Sequence, residues 1–226
     1  MKRVVVPELL DTDAGTPREV KTSLLDLRSF NRWLGGIRVM SSLLRRVARE
    51  RGLKELSWVD VAGSEGYVAT LTQKSLVRSG TILKPVILDR AATHLGRLYP
   101  GVCGDAMALP FGDNTFDAVG CSLFVHHLEP EQIVHFAREG LRVARHALLI
   151  HDLRRHPLHL VLSYLGVPLY RSRLTRHDAP ASVRRAYTVE EIRDILQPVA
   201  AAANIEITKA FFFRMGVIVW KQPNMT

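Results

Sequence analysis

At 226 residues, 47% of them hydrophobic, the chain is long enough to bury one sizeable core and too short to hold a second full domain comfortably. No run of about 18 apolar residues occurs, so no membrane-spanning helix is expected, and MKRVVVPELLD meets Pro7 and acids before a signal-peptide core could form; a soluble cytoplasmic protein is the expectation. The formal charge of +9 admits nucleic acid, an anionic membrane or an anionic small molecule as partner, but the cations gather at Arg45 to Arg51, near a helix end, and at Arg154 to Arg185 in a late insert, where solvated faces account for them; nucleic acid is the weaker expectation.

Residues 1 to about 16 carry no periodicity and are expected to be irregular or frayed. Pro17 opens a helical pattern to Trp33, stopped by Gly35-Gly36, and a second helix runs from Ile37 to Arg51 with Met40, Leu43, Leu44 and Val47 on one face. Preceding the first strand, both helices are expected outside the sheet, free to cover a ligand pocket. Alternation then begins. Strands are expected at Leu56–Ala62, Pro85–Leu88, Gly101–Gly104, Phe116–Ser122 and Ala147–Asp152, separated by helices at Tyr67 to about Arg78, Ala91–Leu98 and Pro130–Val143. After the insert Leu153–Ala186, Thr188 opens a helix to Ala203 with a capping box, and Asn204–Lys209 and Met215–Trp220 form a hairpin. Strands separated by helices imply right-handed crossovers and an open, mostly parallel sheet covered on both faces. Cys103 and Cys121 fall in strands expected to be buried and lack ligand spacing, so neither a disulfide nor a metal is expected.

The stretch LSWVDVAGSEG, Leu56 to Gly66, places small residues between an apolar strand and a helix, where a ligand can approach the backbone N–H groups of Gly63, Ser64 and Gly66. Together with the acid ending VILDR, GDAMALPFGDNTFDAVGCSLFVHHL and the closing hairpin, it resembles the class I S-adenosylmethionine-dependent methyltransferases of the type 11 branch, over about residues 56 to 221. The most specific part is Gly104 to Leu128. NRWLGG, Asn31 to Gly36, is similar to a segment of small methyltransferases found beside polyketide synthases. The resemblance implies a Rossmann-like fold with a seven-stranded sheet, an N-terminal helical extension (1–55) covering the pocket, and a cofactor-binding domain (56–226) whose insert at about 153–186 shapes the acceptor site.

In such a sheet the ligand lies beyond the carboxyl ends of the strands at the switch point. The resemblance therefore implies that Asp60 favours the methionine ammonium of S-adenosylmethionine, that Asp89 accepts the ribose hydroxyls beside Arg90, and that Asp105 accepts from the adenine amine with Ala106 and Met107 against the ring. Ala62, Gly63, Ser64 and Gly66 shape the loop; Ser122 and Leu123 flank the methionine. Glu65 argues against a dinucleotide, because a pyrophosphate about 4 Å away would meet repulsion of a few kcal/mol at a surface-like dielectric. Ala62 and Ser64 stand where the family pattern has glycine.

Methyl transfer needs an acceptor held close and desolvated, with a base only where the acceptor must lose a proton. His127 and His151 are the candidate bases, and Asn31, Trp33, His126 and Tyr187 the candidate acceptor contacts. Because neighbours on a strand point to opposite faces, Asp152 need not support His151. The apolar run Pro157 to Tyr170 reads as a lid or interfacial helix, which admits a peripheral membrane contact. A small aromatic, quinone or polyketide-like acceptor methylated on oxygen or carbon is expected, with an RNA methyltransferase or a noncatalytic ligand-binding relative as alternatives. Against RNA, Cys121-Ser-Leu-Phe124 is not the Asn/Asp-Pro-Pro-aromatic sequence of amino-directed base methyltransferases.

Overall fold

The computed structural model describes residues 1–12, 15–200 and 203–222. Its framework is one sheet of seven strands, β1 (Glu55–Val61), β2 (Ile82–Asp89), β3 (Gly101–Cys103), β4 (Phe116–Ser122), β5 (Ala144–Leu153), β6 (Ala203–Ala210) and β7 (Arg214–Lys221), in the order β3-β2-β1-β4-β5-β7-β6. The first five in that order pair in parallel, whereas β7 runs antiparallel to both β5 and β6. The chain winds outward from β1 to β3, then returns to lay β4 on the other side of β1. The switch point is therefore the gap beyond the ends of β1 and β4, where Asp60 lies opposite Gly120 and Val61 opposite Cys121.

Among the described residues seven α-helices accompany the sheet: α1 (Pro17–Trp33), α2 (Gly36–Glu50), α3 (Tyr67–Val77), α4 (Pro130–Val143), α5 (Pro157–Leu165), α6 (Arg173–Arg185) and α7 (Val189–Ala200). Most expected elements are present with ends moved by a few residues; the expected 91–98 helix is a single 3-10 turn, Ala92–His94, and the expected end of the last helix, residues 201–202, lies outside the described residues. On one face α4 and α7 bury Ile133, Phe136, Leu141, Ile192 and Leu196 against Val119, Leu148 and Val217. On the other, α2 buries Met40, Leu44 and Val47 in one core with Trp58, Ala118, Leu149 and Ile218. That position corrects the expectation that both N-terminal helices stand outside the sheet: α2 is a core layer, because its apolar face is wide enough to fill the space over β4, β5 and β7.

Small residues under the strands make this packing fit. A Cβ on Gly120 would lie 2.6 Å from the Trp58 indole nitrogen, and one on Gly140 would lie 2.8 Å from Leu148 Cδ1. Cys103 is exposed rather than buried, since β3 is an edge strand of three residues that pairs only with β2.

Two further expectations change. The lead-in is irregular but held: Val4 N–H donates to the Arg184 carbonyl at 3.1 Å, and the N–H groups of Leu9 and Leu10 donate to the Asp178 carboxylate at 2.8 and 3.0 Å. The insert forms two helices, α5 and α6. Asp26 on α1, almost fully buried, accepts from the Arg171 and Ser172 N–H groups at 2.9 and 3.1 Å, and Ser23 meets Thr175 at 3.1 Å, so α1 is joined to the start of α6.

Candidate active site

Asp60 ends β1 with its side chain buried and neither carboxylate oxygen hydrogen-bonded. Burial, and then the charge of Asp89, push its pKa up to about 8. A Cβ on Gly63 would lie 3.0 Å from Asp60 Oδ2, so the glycine leaves the carboxylate its space. Asp89, at the end of β2, accepts from the Ser64 N–H and the Ala91 N–H, each at 3.0 Å. It thus pins the glycine-loop and its own turn, with lone pairs left over on both oxygens.

The loop departs from the expectation that its N–H groups face a ligand. Gly63 N–H donates to the Leu88 carbonyl, Ser64 N–H to Asp89 and Gly66 N–H to the Gly63 carbonyl, so all three donors are spent internally. Ala62 and Ser64 sit at φ of 57° and 50°, the left-handed region that a glycine would occupy without cost, alongside Gly66 at 73°. Glu65, read in the sequence as repelling a pyrophosphate, is paired with Arg28 of α1, fastening that helix to the loop.

Beyond β4 and β5 a second group of unpartnered polar atoms gathers. Ser122 lies opposite His151 in the β4–β5 register, and its hydroxyl has no hydrogen-bond partner. Leu123, at φ 56°, donates its N–H to the His151 carbonyl at 2.8 Å. His151 is fully buried with both ring nitrogens unpartnered; burial and the Arg214 charge pull its pKa down to about 3, so the ring is neutral. Asn31 Oδ1 is likewise buried and unpartnered. A Cβ on Gly36 would overlap Asn31 Oδ1 and lie 3.0 Å from His151 Cε1, so the NRWLGG turn brings Asn31 to His151 and requires glycine there. Arg214, buried at the start of β7, leaves Nε and one terminal nitrogen unpartnered, and burial lowers its pKa to about 10.

Residues 59–147 match the family model described as a methyltransferase domain. Over that stretch the chain is similar to the methyltransferase domain family. The fold agrees with that of the plantazolicin methyltransferase BpumL, solved with a pentazolic desmethylPZN analog and SAH, at 12% identity over 95% of each chain and a TM-score of 0.69. It also agrees with the plantazolicin methyltransferase BamL, solved with a triazolic analog and SAH, at 15% identity, 91% and 92% coverage and a TM-score of 0.63. A SAM-dependent methyltransferase from Aquifex aeolicus aligns at 19% identity over 90% of this chain and 98% of that one, with a TM-score of 0.55. No curated protein matches the chain.

Two of these neighbours are solved with SAH, and the residues beyond β1 and β2 fit an adenosyl sulfonium on their own chemistry. Orphaned acceptors at Asp60 call for a cationic donor, and no phosphate-binding set of N–H groups competes.

The remaining sequence candidates divide. Asp105 is exposed, with Oδ1 accepting from the Met107 N–H at 2.8 Å; Ala106 is buried beside it and Arg90 is exposed. Trp33, expected in the acceptor site, is 72% exposed, with the Arg32 guanidinium over its ring. Tyr187 is buried, but its hydroxyl donates to the Leu128 carbonyl at 2.7 Å and Arg3 covers its ring, which gives it a packing role. His126 and His127 face the lead-in rather than His151. His126 Nδ1 lies 2.7 Å from Asp152 Oδ1 and His127 Nδ1 lies 3.0 Å from Asp11 Oδ2. Burial alone would lower the pKa of His126, but the carboxylates of Asp152 and Glu8 raise it to about 10. Asp152 therefore serves His126 and not its neighbour His151.

Sequence reading missed two features. Arg214 lies one residue before the expected strand Met215–Trp220, and only the β5–β7 pairing, which sets it opposite Leu153, carries it inward. The Phe211–Phe213 turn read as a mere connection. Its Phe213 ring stacks on His156 and His159 at 4.9 and 5.0 Å, and a Cβ on Gly35 would lie 2.9 Å from the Phe211 carbonyl oxygen, so the turn closes against the NRWLGG segment. Three consecutive aromatics were the available signal.

Proposed function

We propose that the chain is a class I S-adenosylmethionine-dependent methyltransferase of the type 11 branch and that it methylates an acidic hydroxyl oxygen, phenolic or enolic, on a small aromatic or quinone-like acceptor seated against Asn31, Ser122, His151 and Arg214. The observation that carries this reading is the pairing of a neutral, unpartnered imidazole with an unpartnered guanidinium in a buried setting. Such a pair suits an oxygen that passes from hydroxyl to oxyanion. Bound S-adenosylmethionine supplies an electrophilic methyl group on a sulfonium.

For the cofactor, Asp60 would accept from the ammonium, Asp89 from the ribose hydroxyls with its free lone pairs, and Asp105 from the adenine amine. Ala106 would lie along the ring, Arg90 near the ribose, and Ser122 and Leu123 along the methionine chain. Ala62, Gly63, Ser64 and Gly66 would give room rather than donors. On the acceptor side, His151 at a pKa of about 3 is not tuned to hold a proton near neutral pH, so it would orient the hydroxyl as a hydrogen-bond acceptor. The acidic hydroxyl would give its proton to solvent before the site closes, and its oxygen would then take the methyl group as the sulfonium carbon–sulfur bond breaks, leaving SAH. Arg214 would stabilise the developing oxyanion in a site shielded from water, where a fixed charge acts most strongly. The joined α1 and α6 would cover the site. α5 and the following turn expose Leu158, Val161, Leu165 and Leu169, an apolar strip that supports uptake of the acceptor from a lipid or other apolar surface. The neighbours' azole-bearing ligands are compatible with a flat aromatic acceptor.

Labelled methyl transfer to hydroxynaphthoquinones and hydroxyanthraquinones, set beside the same compounds with the hydroxyl capped, tests the proposal. Transfer to the free hydroxyl alone, lowered about 100-fold or more in His151→Gln with SAH binding retained, is expected. Transfer to tRNA with none to these phenols would overturn it.

A further inference from the structure

A second cluster lies apart from His151. Glu8, His126 and His127 each present one ligand-type atom, all within 4.8 Å of one another, with Glu8 and His126 buried. His126 Nε2 is 3.5 Å from Glu8 Oε1, and His127 Nε2 is 3.9 Å from Glu8 Oε2. The second independent observation is behind the rings. Carboxylates only accept, so Asp152 and Asp11 each take the Nδ1–H of one histidine, which leaves the two Nε2 atoms nearest Glu8 as the ones that would exchange a proton for a metal ion. That is the outer arrangement that orients metal-binding histidines and raises their basicity. Ser182 donates to Glu8 Oε1 at 2.8 Å and fixes the carboxylate as well.

From this geometry we infer a divalent transition-metal site, with His126 Nε2, His127 Nε2 and the Glu8 carboxylate as ligands. Two imidazoles and a carboxylate suit zinc above magnesium or calcium, which take all-oxygen sets, and leave a fourth tetrahedral position for water. Three carboxylates, Glu8, Asp11 and Asp152, converge on two imidazoles, and Arg185 reaches Asp11 at 3.4 Å; with the rings neutral as ligands, a dication would take over from the ring proton in offsetting the carboxylates. The ion would tie the lead-in to the turn Val125–His127 that follows β4, and so brace the wall of the acceptor site from behind. No metal was expected from the sequence, because Glu8 is more than a hundred residues from the histidine pair and no local ligand spacing exists.

The full chain, stripped with a chelator and dialysed, would be titrated with Zn²⁺ alone by calorimetry and with Co²⁺ by visible absorption. One ion per chain is expected, with Co²⁺ bands of four-coordinate strength and a rise in Tm on adding Zn²⁺. Glu8→Gln and His127→Asn should lose all three signals. Asp11→Asn, at a half-exposed outer position that leaves every ligand in place, should weaken binding about 10- to 100-fold. His177→Asn, on exposed surface, should change nothing. No ion uptake by the unaltered chain, or uptake that His127→Asn and Asp11→Asn leave intact, would overturn the site.

Discussion

Asp60→Asn separates the demands of stability from those of ligand binding. The carboxyl of Asp60 has an ordinary pKa of 3.8 in the unfolded chain and about 8 in the folded one, raised first by burial and then by Asp89. Between those values the folded chain holds a proton that the unfolded chain has lost, so stability falls as pH rises through the window and levels off above pH 8. At about 1.4 kcal/mol per tenfold change in proton activity, the wild type loses ~3 kcal/mol of stability between pH 5 and pH 7 through this one group. An asparagine amide has no such dependence. Its own unmet hydrogen bonds cost about 1–3 kcal/mol, but equally at every pH. Urea denaturation of both proteins from pH 5 to pH 8 should therefore show Asp60→Asn gaining on the wild type by ~3 kcal/mol between pH 5 and pH 7, while calorimetry shows its SAH binding lost. A stability difference that stays constant with pH would refute the burial argument, and unchanged SAH affinity would refute the role of Asp60.

Three other substitutions probe the surrounding frame. Gly36→Ala should lower methyl transfer at least about tenfold by displacing Asn31 from His151, with SAH binding within about twofold; a turnover equal to wild type would remove the Asn31–His151 contact from the site. Ala62→Gly relieves a left-handed alanine, worth about 1–2 kcal/mol, against about 0.5–1 kcal/mol of added chain entropy, so thermal denaturation should show a small net gain. Gly120→Ala places a methyl group against the Trp58 indole at the sheet centre and should cost about 1–3 kcal/mol in urea; a neutral result would mean that the strand shifts freely.

The mostly parallel sheet with its closing hairpin, and the helices between the strands, were legible because β1, β4 and β5 are apolar runs bounded by turn residues, and α7 follows a capping box at Thr188. The position of Asp60 and Asp89 at strand ends followed from the same pattern. What periodicity could not give was partnership across the chain. α6 hid behind its charge and Pro180, and it becomes a helix by sharing Asp26 and Ser23 with α1. Glu65 was drawn toward Arg28, His126 toward Asp152 and Glu8, and Arg214 inward by antiparallel pairing, each through residues more than 25 positions away. Alternation along β5 did foresee that Asp152 and His151 serve opposite faces.

SAH binding at pH 7, followed by calorimetry in two buffers of different ionisation enthalpy, tests most directly whether the unpartnered acid beyond β1 receives the cofactor ammonium. One site per chain with release of close to one proton is expected, because a carboxyl with a pKa of about 8 must ionise as the ammonium arrives. Binding without proton release, or no binding, would contradict that assignment.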